Sequence, residues 1–170
     1  RDCSAPSGRV SPSESGSSGS DIRVIGLVVP AGGSERPATP ATVTAREHCL
    51  YIAGRPVFDA AVEGMTAVTG DLLARNRLTA ADIDWFVPHQ ANLRILEAVA
   101  RRLAIPRERV MVNVEKYGNT SAATIPVALS EWWTAGRLRP GDRVVLCGFG
   151  AGYAIGAALL VWAAGEIGGG

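Results

Sequence analysis

The sequence predicts a layered α/β fold, and three observations carry that prediction. Short runs rich in β-branched residues recur along the chain, segments with apolar residues three and four apart alternate with them, and Pro, Gly, Asn and Asp mark the joins. The resulting order is strand, helix, strand, helix, strand, helix, strand, strand, which suits helices layered on a sheet better than a bundle or a sandwich. With 47% hydrophobic and 19% charged residues, the 170-residue chain can bury the core of one domain. No repeat of fixed period is present.

Residues 1–20, RDCSAPSGRVSPSESGSSGS, hold so few apolar side chains that burial cannot offset the entropy of ordering, and a disordered tail is expected. One domain over residues 21–164 and a flexible tail over 165–170 complete the expected organisation. Residues 22–29, IRVIGLVV, read as a strand, and residues 34–44, with Pro37 and Pro40, as a surface crossing before an extended segment at 50–52. Phe58, Ala61, Val62, Met65, Val68 and Leu72 then recur at helical spacing, predicting a helix to about Asn76. IDWFV at 83–87 is a strand stopped by Pro88. Ile95, Leu96, Val99 and Leu103 mark a helix over 90–103, closed by Pro106, and residues 110–114 read as the next strand. The GNTS loop at 118–121 supplies capping side chains to a third helix carrying Ile125, Leu129, Trp132 and Trp133, which fades at Gly136. Residues 143–147 and 153–162 form a closing hairpin across GFGAG.

Charge excludes little and points nowhere in particular. Seventeen Lys+Arg against 16 Asp+Glu leave a net +1, with no overall attraction to nucleic acid or an anionic membrane. Cys3, Cys49 and Cys147 show no CxxC spacing, so neither a disulfide framework nor a structural zinc is expected, and a reducing, cytoplasmic setting fits best. No basic-then-apolar leader opens the chain and glycines interrupt its last apolar stretch, so neither export nor a membrane span is expected.

Chemistry concentrates at two strand ends. His89 follows one predicted strand and Asn119 the next, the edge at which α/β sheets commonly hold ligands. A helix N-terminus disfavours the imidazolium, so His89 is expected to be neutral and to donate one hydrogen bond. The Asn119 amide donates as well, and two convergent donors stabilise a developing oxyanion or enolate. Taken singly, residues of these types more often do plain structural work, His89 capping its helix and Asn119 satisfying its loop. GFGAG is either a hairpin turn or a loop presenting amides to a ligand; with Lys116 the only lysine and no GK[ST], it is not a phosphate loop. Arg94, Arg101 and Arg102 share the polar face of the His89 helix and suit an acidic partner or solvent. Cys147 reads as an inert core thiol, and His48 and Cys49, adjacent on an extended segment, are expected to point apart.

Three ordered motifs, VPHQANLRILEAVARRL (87–103), YGNTSAATIPVAL (117–129) and GDRVVLCGFGAGYAIGAALL (141–160), resemble the carboxyl-terminal half of β-ketoacyl-acyl-carrier-protein synthase III enzymes. VPAGGS at 29–34 is similar to the family's entry into this half, and the resemblance covers residues 22–163. It implies a thiolase-like fold, in which two βαβαβαββ halves, each a mixed sheet with helices, complete a layered α-β-α-β-α molecule that dimerises. It also implies decarboxylative Claisen condensation of an acyl-CoA starter with malonyl-acyl carrier protein, in fatty acid or polyketide synthesis. On the matching motifs, His89 and Asn119 would be catalytic, Asn92 would meet the pantetheine arm, and Phe149, Gly150, Ala151 and Gly152 would line the acyl site. Arg94, with Arg101 and Arg102, would dock the carrier protein. No metal or other cofactor is implied, coenzyme A and carrier-protein thioesters being substrates. The family's nucleophilic Cys belongs to a first half that these residues do not match, and DCSAPSG (2–8) is too rich in Pro and Gly for its buried helix. A Cys-bearing half is therefore an expected partner. A noncatalytic subunit or remnant, and a related acyl transferase that does not condense, are the other readings.

Overall fold

The computed structural model describes residues 27–163, which fall into two compact units dividing between Val57 and Phe58. The expected tails, Cys3 and most of the predicted first strand lie outside the described residues. In the first unit, β1 (Leu27–Val28) pairs antiparallel with β2 (Tyr51–Ile52), both inside runs read as extended. The expected irregular crossing contains a short helix instead, α1 (Pro40–Thr44). Thr39 caps it, accepting from Thr42 N–H at 3.2 Å, while Thr42 Oγ1 accepts from Thr39 N–H at 2.8 Å. Proline at the first helical position loses nothing there, because that N–H has no helical partner anyway. His48 and Cys49 do not point apart: Cys49 N–H donates to Arg46 O, the chain turns rather than extends, and Cys49 Sγ comes within 3.8 Å of His48 Nε2.

In the second unit, β3 (Trp85–Pro88) runs parallel to β4 (Arg143–Gly150), and β4 runs antiparallel to β5 (Ala154–Val161). This mixed sheet has the order β3-β4-β5. Side chains alternate between its faces. Phe86, Val145 and Cys147 join Met65, Leu73, Val99 and Ile83 in one core, whereas Val87 and Val144 join Met111, Ala128 and Leu138 in another. The first core is covered by α2 (Gly54–Arg75) and α3 (Leu93–Arg102), the second by α5 (Thr124–Thr134). Each fully buried side chain of this size contributes roughly 1.5–3 kcal/mol of transfer free energy.

Both long helices follow their apolar spacing. α2 buries Ala61, Val62, Met65, Thr69 and Leu73, and ends where Arg77 takes φ +56° and Leu78 N–H reaches back to Leu73 O at 2.9 Å. α3 begins at Leu93, later than residue 90, because Asn92 is its cap. It closes the same way as α2, with Ala104 at φ +55° and Ile105 N–H on Ala100 O.

Residues 110–114 do not form the expected strand. Val110 makes a single parallel bridge to Phe86, and Met111 N–H donates to Phe86 O at 2.9 Å. The next rung would need an N–H from Pro88, which has none. The Gln90 side chain takes its place: Nε2 donates to Pro88 O (2.8 Å) and Met111 O (3.0 Å), and Oε1 accepts from Asn113 N–H (3.0 Å) and Val114 N–H (3.2 Å). Gln90 is completely buried, and all its hydrogen-bonding capacity replaces a backbone ladder. The chain then turns into α4 (Val114–Tyr117).

Candidate active site

The carboxyl ends of β3 and β4 point the same way because the two strands are parallel. His89 leaves β3 there, its N–H bonded to Cys147 O at 2.8 Å, and GFGAG leaves β4 beside it. Gly148, Phe149 and Gly150 remain in strand, while Ala151, Gly152 and Tyr153 turn the chain. Gly152 takes φ +71°, a conformation that favours a residue without a Cβ, and Tyr153 at +57° carries the strain instead, its ring edge-on to Phe149 at 5.8 Å.

Asn119 reaches the same edge through the loop before α5. Its Oδ1 accepts from Ser121 N–H at 2.8 Å, which leaves Nδ2 to donate outward. Ser121 is held at φ +54°, and its carbonyl accepts from Thr124 Oγ1 at 3.0 Å. Thr124 Oγ1 in turn shares a 2.6 Å hydrogen bond with His89 Nδ1. Three hydrogen bonds thus run from the His89 ring to the Asn119 amide, and each residue keeps a nitrogen, Nε2 or Nδ2, uncommitted among the described residues. The expected capping roles differ in detail: His89 precedes α3 without capping it, and Asn119 organises the turn before α5 without capping that helix.

Burial pushes the His89 imidazole below its ordinary pKa, so the ring is neutral near pH 7. The expected neutrality holds; its cause is desolvation more than a helix terminus, since α3 starts beyond Asn92. Cys147 Sγ lies 3.8 Å from Met65 O in the core, and burial raises its pKa, which makes it a poor nucleophile.

The other predicted site residues lie close by in sequence but play visible structural parts. Asn92 Oδ1 accepts from Arg94 N–H at 2.9 Å, capping α3 and leaving its own amide group exposed. Arg94, Arg101 and Arg102 are exposed, and none forms a salt bridge with a described residue. A separate cleft, lined by Asn113, Lys116, Glu131 and Arg137 among others, contains none of the predicted residues. No group of three or more His, Cys, Asp or Glu among the described residues is arranged to hold a metal ion. Sequence reasoning missed Thr124 and Gln90, although both stand inside the motifs it quoted.

A mixed sheet covered on both faces, with a histidine and an asparagine joined by hydrogen bonds at its carboxyl edge, is the second half of a thiolase-like fold. Solved structures bear this out: 3-oxoacyl-(acyl carrier protein) synthase III of Pseudomonas aeruginosa superimposes with a TM-score of 0.71 at 38% identity, over 83% of this chain and 42% of that one. The Thermus thermophilus enzyme of the same type gives 0.69 at 44% identity, over 84% and 43%. Residues 73–162 match the family described as 3-oxoacyl-[acyl-carrier-protein (ACP)] synthase III C terminal, and the chain belongs to that family. Beta-ketoacyl-[acyl-carrier-protein] synthase III of Porphyromonas gingivalis is 51% identical over 137 residues, 81% of this chain and 40% of that protein. That of Chlorobaculum tepidum is 46% identical over 80% and 41%. The chain therefore spans about two fifths of the length of the curated relatives it matches.

Proposed function

We propose that this chain supplies the decarboxylating half of an acyltransferase that condenses an acyl-CoA starter with malonyl-acyl carrier protein, the nucleophilic Cys being contributed by a first half. The observation that carries this reading is the hydrogen-bonded line from His89 through Thr124 and Ser121 to Asn119 at the sheet's carboxyl edge. Loss of carbon dioxide from a malonyl thioester leaves an enolate, whose charge sits on the thioester oxygen. Asn119 Nδ2 and His89 Nε2 are the two groups held ready to hydrogen-bond that oxygen. Enolate stabilisation of this kind calls on no metal or other cofactor.

In this reading Asn92 meets the pantetheine arm, and Phe149, Gly150, Ala151 and Gly152 line the acyl site, where one backbone N–H of the loop helps hold the developing charge on the acyl oxygen. Arg94, Arg101 and Arg102 meet the acidic carrier protein. The completed enzyme would dimerise.

The test is carbon dioxide release from a malonyl thioester, measured with this chain alone and with a Cys-bearing first half added. Release is expected in the combined sample. Loss of one donor to the developing charge typically costs about 10²–10³ in rate, so His89→Ala should lower release by at least that factor. Unchanged release in His89→Ala would remove the role assigned to His89. No release from an associated pair would favour a noncatalytic subunit.

A further inference from the structure

Gln90 stands next to His89 and takes no part in the chemistry proposed above. Its side chain is completely buried, where a carboxamide costs free energy unless its donors and acceptors are paired. All of them are paired, and with backbone on both segments that lead to the site. Nε2 donates to Pro88 O, the carbonyl immediately before His89, and to Met111 O, while Oε1 accepts from Asn113 and Val114 N–H. An apolar side chain of equal length would fill the same volume and hold none of these groups.

Two paths lead on from the carboxamide, and each ends at the site. Asn113 O accepts from Lys116 and Tyr117 N–H at 3.0 and 3.1 Å, and Gly118 N–H donates to Val114 O at 2.8 Å. This closed turn, α4, brings the chain to Gly118, immediately before Asn119. Along the other path, Asn113 Nδ2 donates to Glu131 on α5 at 2.8 Å. α5 begins with Thr124, whose Oγ1 lies 2.6 Å from His89 Nδ1, so this path returns to the residue beside Gln90 and closes a circuit that takes in His89 itself. A buried polar network with every member paired holds one geometry, and here that geometry includes both His89 and the approach to Asn119.

We propose that Gln90 is a positioning residue for the reaction: its carboxamide sets the separation of His89 and Asn119 and touches no substrate itself. The chemical consequence rests on the function proposed above, the structural one on the hydrogen bonds alone. A displacement of about 1 Å can cost on the order of 10²-fold in rate. The enolate charge that His89 and Asn119 meet develops only in the chemical step, after the thioester is bound, so loosening the pair lowers kcat and leaves KM unchanged.

The test compares the wild-type chain with two variants. Gln90→Met pairs with none of the four backbone groups, and Gln90→Glu keeps an acceptor for the two N–H groups while setting an oxygen against Pro88 O and Met111 O. In ¹H–¹⁵N spectra of the 170-residue chain, the Asn119 side-chain amide and the Ser121 N–H bonded to it report the place of Asn119, and the indole N–H of Trp162, beyond β5, is the control. In a folded variant the first two should shift or divide among several conformations while the indole stays where it was. Unchanged Asn119 and Ser121 signals in a folded Gln90→Met or Gln90→Glu chain would overturn the proposal. Failure of both variants to fold would overturn it as well, since the carboxamide would then be a condition of folding and not of spacing. With a Cys-bearing first half added, Gln90→Glu should lower kcat for carbon dioxide release from a malonyl thioester by about 10²-fold at unchanged KM. Made in an Asn119→Ala background it should cost nothing further, because a pair that lacks one member has no separation to keep. A loss carried by KM, or an equal loss in both backgrounds, would refute the role. No release from the wild-type pair would count against the proposed function alone, and the amide signals would still decide the role of Gln90.

Discussion

Glu131 carries three hydrogen bonds on one carboxylate. Oε1 accepts from Lys116 Nζ and Tyr117 OH, each at 2.7 Å, and Oε2 accepts from Asn113 Nδ2 at 2.8 Å. Together they tie the segment leading to Asn119 onto α5. Lys116 beside it, with Tyr117 and Asn113, holds the Glu131 carboxyl down at about 2, against an ordinary 4.5. The folded pKa is the lower one, so the unfolded chain binds more protons between the two values. This contribution to stability is therefore complete above pH 4.5 and is lost as pH falls toward 2. The carboxylate is open to water, which screens the effect, and added salt should weaken it further. Urea unfolding across pH 2 to 6 checks this: Glu131→Gln should flatten the acid decline, and equal declines in the two proteins would refute the assignment. At this scale the place of His89 at a strand end was legible, whereas Asn119 follows α4 and not the strand expected before it, so a motif alone marked it. Glu131, Thr124 and Gln90 were not legible, since their partners lie 18, 35 and 23 residues away and no spacing announces such pairs.

Among the elements, α2 lies against β5 at Gly64. A methyl group added there would overlap the Cδ1 of Ile155. Glycine in a helix interior costs roughly 0.5–1 kcal/mol relative to alanine, whereas overpacking a core costs about 1–3 kcal/mol, so the two effects oppose each other. Because Cδ1 is the end of a flexible side chain that can rotate aside, Gly64→Ala is expected to change stability by less than about 1 kcal/mol in the wild-type background, the displacement of Ile155 offsetting the helical gain. In an Ile155→Val background, which lacks Cδ1, the same change should stabilise by up to about 1 kcal/mol. Thermal or urea unfolding of the four proteins would show a larger gain in the Ile155→Val background, and an equal effect in both backgrounds would mean that α2 and β5 do not meet at these residues. The apolar spacing of α2 and α3 was legible because periodic burial is what makes such helices stable. Two elements were not. α1 is short and rich in β-branched residues and Pro, so its cap forms it more than its propensity does, and residues 110–114 have strand composition but lose their ladder to Pro88 and Gln90.

At the scale of the molecule, the order of elements made the layered α/β class legible, and both faces of the β3-β4-β5 sheet are covered by helices as that class requires. No helix among the described residues is long and apolar enough to cross a membrane. β5 ends with Leu160 at 38% and Val161 at 66% exposure, on a strand that pairs with β4 alone among the described strands. Apolar surface of this kind on a sheet edge favours association. Sedimentation of the chain should show mass rising with concentration, and Leu160→Lys with Val161→Lys should reduce that rise while shifting the thermal transition little, since exposed substitutions usually change stability by about 0.5 kcal/mol or less. An unchanged mass in the variant would place the contact elsewhere. The Gln90 clamp has a different kind of consequence. A backbone ladder repeats every two residues, so a strand can slip by two and keep its faces, but a single side-chain amide offers one seat. Residues 110–114 therefore have one alignment against β3, and Asn119 inherits it through α4. Insertions and deletions should be accommodated in the exposed turn at 106–108, ahead of the clamp, and rejected between Asn113 and Asn119, where each added residue would carry the amide away from the histidine.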